Sequence, residues 1–371
     1  MKDMRKICLV GSYNETELLR GPDKVARRVA DALAALGHRV CFFEYFSSGE
    51  RYGYWSKLFG NECVKNSGSF SVFRVGVFPF MFALLSNRFD VIHIITFERF
   101  AVLVLLLKPF IKASVAYTVH GIVLHQHRNL GSHAKWNLVM KDHAAEFLFL
   151  KFADLLFFLS DRSVSLASQY YRISKGKVVI VANGIDELFY EIGKREEKER
   201  TDIEIVFVGD PGRPEKGLEF FLHALERCTR RAAVFVICEN PPPVPVNTVN
   251  GMKIRYLQKM DTPHYAEFLK EGEIYVSASS YDPFSIAAVE AMGAGLVPVV
   301  TKETGMSRYV QHGVSGFVIG FGDVPQLAET LDLLIADGAL RTKLSFNARL
   351  SVSRLHWRSV AEEYLRRYAL Q

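Results

Sequence analysis

Two carboxylates, Asp282 and Glu290, stand eight positions apart in the stretch 276–301, VSASSYDPFSIAAVEAMGAGLVPVVT. The apolar run Ile274 to Ser277 predicts a strand end. Pro283 suits a turn or a first helical turn, Ala287, Ala288, Ala291 and Met292 favour helix, and Gly293 or Gly295 stops it. Leu296 to Val300 then reads as a buried strand. In an open α/β sheet such a helix starts at the crevice beyond the strand ends, so the N–H groups near Phe284, Ser285 and Ile286 are expected to face a ligand there. Phosphate or sugar oxygens suit that position. The spacing sets Asp282 at the crevice mouth and Glu290 about two turns along the helix. Both can accept hydrogen bonds from hydroxyls, although the stretch alone is also compatible with an ordinary strand-helix-strand core.

A second group of chemistry-bearing residues lies in GDPGRPEKGLEFFLHAL, after a predicted strand Glu204 to Val208. Gly209, Gly212 and Gly217 allow sharp backbone turns, and Arg213 and Lys216 stand just before a helix. Side-chain cations and helix N–H groups can together hold a diphosphate there. The Gly-Lys-Ser/Thr order of a P-loop is absent. In the first half, strand Ser114 to Val119 ends at His120 and Gly121, which places His120 at a crevice; a structural histidine is the alternative. Gly21 closes the first loop, where it can admit a ligand to the backbone or simply form a turn.

The elements that must position these residues alternate strand and helix twice over. Strand Lys6 to Val10, helix Pro22 to Leu36 ended by Gly37, and strand Arg39 to Glu44 open the first half as a doubly wound sheet begins. Further strands are expected at Ser71 to Phe78, Asp90 to Ile95, Leu155 to Ser160 and Lys177 to Val181, with a long helix over Ala134 to Phe152. The apolar run Phe100 to Ala113 reads as a buried crossover helix, with a membrane-facing patch as the alternative. The polar stretch 191–202, EIGKREEKERTD, reads as an interdomain linker. The second half adds strands Ala233 to Cys238 and Met252 to Tyr256, then helices Pro263 to Lys270, Gln326 to Asp337, Ala339 to Ser353 and Trp357 to Ala369.

These motifs resemble the retaining GT-B glycosyltransferases of the large group-1, family-4-like class. Glu290, Ala291, Met292, Gly293, Ala294, Gly295, Pro298, Val299 and Val300 match its donor-site signature, with Asp282 at the position of the first glutamate and Ser285 at that of a glycine. Lys216 and Gly217 match its Lys-Gly pair; Asp210 takes the usual arginine position in a loop one residue longer, and Arg213 is the expected substitute. Thr118 to Gly121, the Gly37 to Val40 run and the Asn183 to Phe189 turn are similar as well, as is 304–317 with Arg308 in place of a glutamate. The first-loop glycine pair is reduced to Gly21.

The resemblance implies an α/β fold of two Rossmann-like domains facing across a cleft, 1–188 on the acceptor side and 202–355 on the nucleotide-sugar side. A C-terminal helix, 356–371, returns to the first domain. The implied chemistry is glycosyl transfer from a nucleoside diphosphate sugar, with retention at the anomeric carbon, to a glycan or lipid-linked acceptor. In that scheme Arg213 and Lys216 stabilise the departing diphosphate, Glu290 binds the ribose hydroxyls, Asp282 binds the donor sugar and His120 lines the sugar site. No Asp-x-Asp motif occurs, and no metal or other cofactor is expected. A sugar-nucleotide epimerase or phosphorylase of the same fold, and a catalytically degenerate sugar-nucleotide-binding subunit, stay open as alternatives.

Composition bounds the rest. At 371 residues, 49% hydrophobic and 23% charged, the chain has room for two domains and an ample core. The five cysteines show no paired metal-ligand spacing and fit a reducing cytosol. The start, MKDMRKICLVG, lacks a cleavable leader pattern, and no uncharged apolar run reaches the length of a membrane span. Net charge is +6, yet residues 1–190 hold 24 Lys and Arg against 16 Asp and Glu. That excess suits an anionic partner, a phosphate-bearing acceptor or an anionic membrane face before nucleic acid; a mildly basic solvated surface is the plain alternative.

Overall fold

The computed structural model of the chain describes residues 4–13, 21–46, 53–129, 136–193, 203–243 and 246–369. The chain divides into two compact units, Met1–Gly184 with Trp357–Gln371, and Ile185–His356.

The first unit begins β1 (Lys6–Val10), α1 (Gly21–Ala35), β2 (Arg39–Tyr45), α2 (Tyr54–Phe59), β3 (Asn61–Asn66), β4 (Phe70–Val75) and α3 (Val77–Ser86). It continues β5 (Val91–Ile94), α4 (Val102–Leu107), β6 (Ser114–Val119), α5 (Val123–Asn129), α6 (Trp136–Phe152), β7 (Leu155–Phe158), α7 (Asp161–Tyr170) and β8 (Val178–Ile180). The eight strands form one sheet in the order β3-β4-β2-β1-β5-β6-β7-β8, parallel throughout except for the β3–β4 edge pair. Helical crossovers bury the central strands on both faces, so β1, β5 and β7 are nearly continuous apolar runs. The strand expected over Ser71 to Phe78 stops at Val75. Val77 begins α3 instead, because Pro79 sits in the first turn, where its missing N–H has no partner to lose. The run 100–113 folds as α4 between two short 3₁₀ turns, with Ala101, Val104 and Leu107 buried but Leu106 and Phe110 exposed.

The second unit holds α8 (Glu187–Ile192), β9 (Glu204–Val208), α9 (Leu218–Arg227), β10 (Ala233–Cys238), β11 (Val246–Val249), β12 (Met252–Gln258) and α10 (Thr262–Leu269). After these come β13 (Ile274–Ser277), α11 (Ile286–Gly293), β14 (Val297–Thr301), β15 (Phe317–Ile319), α12 (Val324–Ala336) and α13 (Gly338–Val352). Its seven strands run β11-β12-β10-β9-β13-β14-β15, with only the β11–β12 pair antiparallel. The core lies between β9, β10 and β13 and the helices α9 and α12, around Phe207, Phe221, Val236 and Leu331. The chain enters this unit at Ile185, ahead of the polar stretch expected as the linker. Ile185 and Phe189 are buried, Phe189 against Tyr265, which draws α8 into the second core. Positions 194–202 of that stretch lie outside the described residues.

The last helix, α14 (Trp357–Tyr368), belongs to the first unit and packs against α1. Its anchor is His93, fully buried on β5. One ring nitrogen, Nδ1, lies 2.6 Å from the Tyr368 hydroxyl and the other, Nε2, lies 2.7 Å from Thr118 Oγ1 on β6. Tyr364 and Phe157 pack beside the ring. Burial, and then the neighbouring His120, push the His93 pKa down to about 3, so the ring is neutral. Replacing His93 by Leu strands two buried hydroxyls, and we expect a loss of about 2–4 kcal/mol in urea unfolding. Because the folded pKa lies below the unfolded value, His93 makes wild-type stability fall as pH drops from about 6.5 towards 3. The Leu variant should lack that component of the pH dependence.

Candidate functional site

In the second unit the chain runs from β9 outwards to β10 and then returns past β9 to β13, so the order reverses between β9 and β13. Crevices for ligands form at such a switch point, beyond the carboxyl ends of the strands. Gly209 leaves β9 there, and its backbone N–H donates to the Ile237 carbonyl at 3.0 Å. Gly217, the residue before α9, has φ +74°, and a Cβ on it would lie 1.9 Å from the Ala278 carbonyl oxygen. Only glycine fits that close approach of the two loops.

Between these glycines the loop is tied down by Asp210. Its Oδ1 accepts from the Gly212 N–H at 3.0 Å, and its Oδ2 accepts from the Asn240 N–H and Nδ2, each at 3.0 Å. Burial opposes the charge, but the hydrogen bonds from Gly212 and Asn240 and the nearby Arg213 prevail and lower its pKa. Where the resemblance leads to an arginine, this chain therefore has a structural carboxylate that shapes the longer loop. Arg213 is half exposed, with its Nε 2.7 Å from Glu215 Oε1.

Lys216 turns the other way. Its Nζ lies 2.7 Å from Asp282 Oδ2, joining the first loop of the unit to the β13–α11 loop. Asp282 is 7% exposed. Its Oδ1 accepts from the N–H groups of Phe284 at 3.1 Å and Ser285 at 2.8 Å. Its backbone carbonyl receives the Gly305 N–H at 2.8 Å, which brings the 301–309 segment into the same junction. Burial by itself would raise the Asp282 pKa; the Lys216 charge and the three hydrogen bonds outweigh it and lower the pKa. Two of the three N–H groups expected to face a ligand are thus taken up by Asp282. Ile286 begins α11, and neither α9 nor α11 has a side-chain cap at its start.

Ser285 has φ 64° and ψ 82°, a left-handed conformation that costs a non-glycine residue about 1–2 kcal/mol. That geometry accounts for the glycine usual at this position. The Ser285 side chain acts against the rise in the pKa of the buried Tyr275. Burial, and then the negative charges of Asp282 and Glu290, push the Tyr275 pKa up, so the phenol stays protonated between the two carboxylates. Glu290 is buried in the second turn of α11. The side chain of Phe284 is core, edge-on to Tyr309, and the Arg308 guanidinium lies 5.6 Å from the Tyr309 ring centroid.

The other sequence-derived candidates lie in the first unit. His120 follows β6, half-buried, with Nε2 2.8 Å from the Ile95 carbonyl oxygen. That contact requires the proton on Nε2, which leaves Nδ1 as an acceptor. Burial drives the His120 pKa down to about 4, so it is neutral near pH 7. Gly21 is the first residue of α1 and is exposed; positions 14–20 before it lie outside the described residues. At the switch between β1 and β5 the close approach is made instead by Gly11, where a Cβ would fall 2.2 Å from Thr96 Oγ1. Sequence reasoning also missed Glu146. Buried on α6, it accepts the Val123 N–H at the start of α5 and a short hydrogen bond from the Tyr171 hydroxyl. It thereby pins the turn that follows His120. A mid-helix acid within an apolar face carried no local signal of that role.

Among the described residues, no group of three His, Cys, Asp or Glu side chains could hold a metal ion.

With this geometry in hand, two sheets of this topology match known folds over nearly their whole length. A sucrose-phosphate synthase from Thermosynechococcus elongatus aligns with 99% of this chain and 98% of its own at TM-score 0.77 and 16% identity. Anabaena HepE, solved in complex with UDP-glucose, aligns with 99% and 100% at TM-score 0.71 and 16% identity. The fold is therefore GT-B. The family model described as Glycosyltransferase Family 4 matches residues 19–187, and that described as Glycosyl transferases group 1 matches residues 202–337. The chain belongs to the group 1, family 4 glycosyltransferases. Among curated relatives, a GDP-mannose:cellobiosyl-diphosphopolyprenol alpha-mannosyltransferase from Komagataeibacter xylinus is 24% identical over 217 residues, 56% of this chain and 54% of that protein. A D-inositol 3-phosphate glycosyltransferase from Corynebacterium efficiens is 23% identical over 234 residues, 57% and 55%. The matched stretch spans about half the length of each.

The junction predicts a stability effect. Asp282→Asn leaves Lys216 without its anion in a half-buried site, and we expect a loss of about 2–3 kcal/mol at pH 7 by chemical unfolding. The folded pKa of Asp282 is depressed, so its contribution is complete above the ordinary aspartate value of about 3.9 and is lost as pH falls through the folded value. The gap between wild type and variant should therefore close on acidification below about pH 4. A gap independent of pH would contradict this electrostatic origin.

Proposed function

We propose that this chain moves a glycosyl group from a nucleoside diphosphate sugar to an acceptor, with retention at the anomeric carbon. The observation that carries the reading is the Lys216–Asp282 pair at the switch point of the second sheet, between the uncapped starts of α9 and α11. Departure of the diphosphate is the demanding step, and fixed positive charge beside it stabilises the charge that develops. Lys216 is the cation held in place for that role, with Arg213 reaching in once it leaves Glu215. Asp282 and Glu290 receive hydroxyls of the sugar and the ribose, Ile286 offers its helix-start N–H, and His120 offers Nδ1 as an acceptor to a sugar hydroxyl. The family membership and the UDP-glucose bound to Anabaena HepE support a nucleotide-sugar donor. The polyprenol-linked acceptor in the name of the Komagataeibacter relative supports a lipid-linked or glycan acceptor. Retention rests on the resemblance of the donor motif. The reaction runs without a metal ion, since Lys216 and Arg213 supply the charge a metal would, so EDTA should leave turnover unchanged. The unpaired thiols of all five cysteines fit a reducing, cytoplasmic setting.

A transfer assay with labelled donors tests this reading. Lys216→Ala should lower turnover at least about a hundredfold, the scale of losing one charge-stabilising donor. Glu290→Gln should weaken binding of the free nucleoside diphosphate in calorimetry. Unchanged turnover in both Lys216→Ala and Arg213→Ala would refute the mechanism, and donor binding without turnover in the wild type would favour a binding subunit.

A further inference from the structure

Helix α3, VFPFMFALLS, contains no charged residue, yet one side of it faces solvent. Phe80 and Leu84 are buried beneath, while Phe78, Phe82 and Leu85, at i, i+4 and i+7, line the outer face; Phe82 is 73% exposed. The apolar strip continues onto α2. Phe78 stacks on Phe59 with ring centroids 4.9 Å apart, and Phe59 stacks on Trp55 at 5.8 Å. Trp55 itself is 71% exposed. A helix apolar all round is normally buried, and a contiguous exposed aromatic surface marks an interaction site.

The charges around the strip narrow the partner. Helices α2, α3 and α4 contain no aspartate or glutamate, whereas Lys57 lies on α2 and exposed Arg88 and Lys112 follow α3 and α4; the exposed acids that also follow α2 and α3 are engaged, Glu62 with Arg74 and Asp90 with the Lys6 N–H. Phe110, also exposed, flanks Lys112. Aromatic and aliphatic side chains flanked by basic residues, with the neighbouring acids already paired, are complementary to the headgroup and acyl boundary of an anionic bilayer. A second copy docked on the same face by two-fold symmetry would set this basic rim against itself.

We propose that the α2–α3 face of the first unit docks on an anionic lipid surface, with Trp55, Phe78, Phe82 and Leu85 entering the interface and Lys57, Arg88 and Lys112 meeting lipid phosphates. This deepens the lipid-linked acceptor reading, but it stands on the surface alone. Among the described residues no helix is long and apolar enough to cross a membrane; docking through this face is interfacial and weakens with salt.

Vesicle sedimentation without any sugar donor tests it. The full chain should pellet with phosphatidylcholine vesicles containing about one third phosphatidylglycerol at low salt, and at least about tenfold less with pure phosphatidylcholine or at 0.5 M salt. The triple variant Trp55→Ser, Phe82→Ser, Leu85→Ser alters only exposed side chains, and should lose at least about tenfold in binding while melting as the wild type does. Lys57→Glu with Lys112→Glu should lose the salt-dependent part. Phe346→Ser with Leu350→Ser, at exposed apolar positions of the second unit, should bind as the wild type does. Wild type remaining in the supernatant, or binding unaffected by the triple variant, overturns the proposal. So does self-association that the triple variant abolishes in the absence of vesicle binding. Because no donor is present, any of these results leaves the transferase reading to its own assay.

Discussion

A single buried aspartate holds the second unit's crevice together. Asp282 gathers the loop after β9 through Lys216, the start of α11 through two N–H groups, and the segment after β14 through its own carbonyl. Because burial opposes its charge, the anion at this position depends on these donors. The same interaction therefore sets loop geometry and fixes a lysine ammonium at the point where strand order reverses.

The departures from the usual family pattern make physical sense around that pair. Asp210 replaces a cation by an anion, but its charge is absorbed by Gly212 and Asn240, and the longer loop it shapes carries Arg213 further out. Ser285 accepts a left-handed backbone that glycine would adopt freely, and it acts on the Tyr275 hydroxyl, which lies in the field of both acids. A shorter acid at 282 is in turn suited to local contacts with the N–H groups two and three residues on, an Asx-type geometry that pulls it into the turn. Asp282 is consequently a structural element of this loop junction.

The first unit is organised differently. Its buried histidine, His93, clamps α14 to β5 and β6, while His120 and Glu146 order the turn after β6. The polar groups there are buried and neutral or paired, whereas the outer helices α2 and α3 expose an uncharged aromatic surface. The core of that unit is apolar, around residues such as Val29, Phe42, Phe80 and Phe157, and the aromatic strip lies outside it.

Much of this was legible in the chain itself. Period-two and apolar-run patterns located β1, β2, β6, β9, β10, β13 and β14 with their helices, because parallel strands covered on both faces are continuous apolar runs. Glycine preceding a helix, as at Gly217, and the Asp282 to Glu290 spacing pointed to the crevice because backbone sterics and helix pitch are local properties. Local pattern could not supply the antiparallel edge strands β3 and β11, the helix α3 hidden behind Pro79, or the passage into the second unit at Ile185; each is decided by what packs against it. Only the tertiary structure paired Lys216 with Asp282 across 66 positions, and His93 with Tyr368 across 275. Hydrogen-bond partners distant in sequence are chosen by the fold that brings them within reach, and no composition or spacing along the chain encodes that distance.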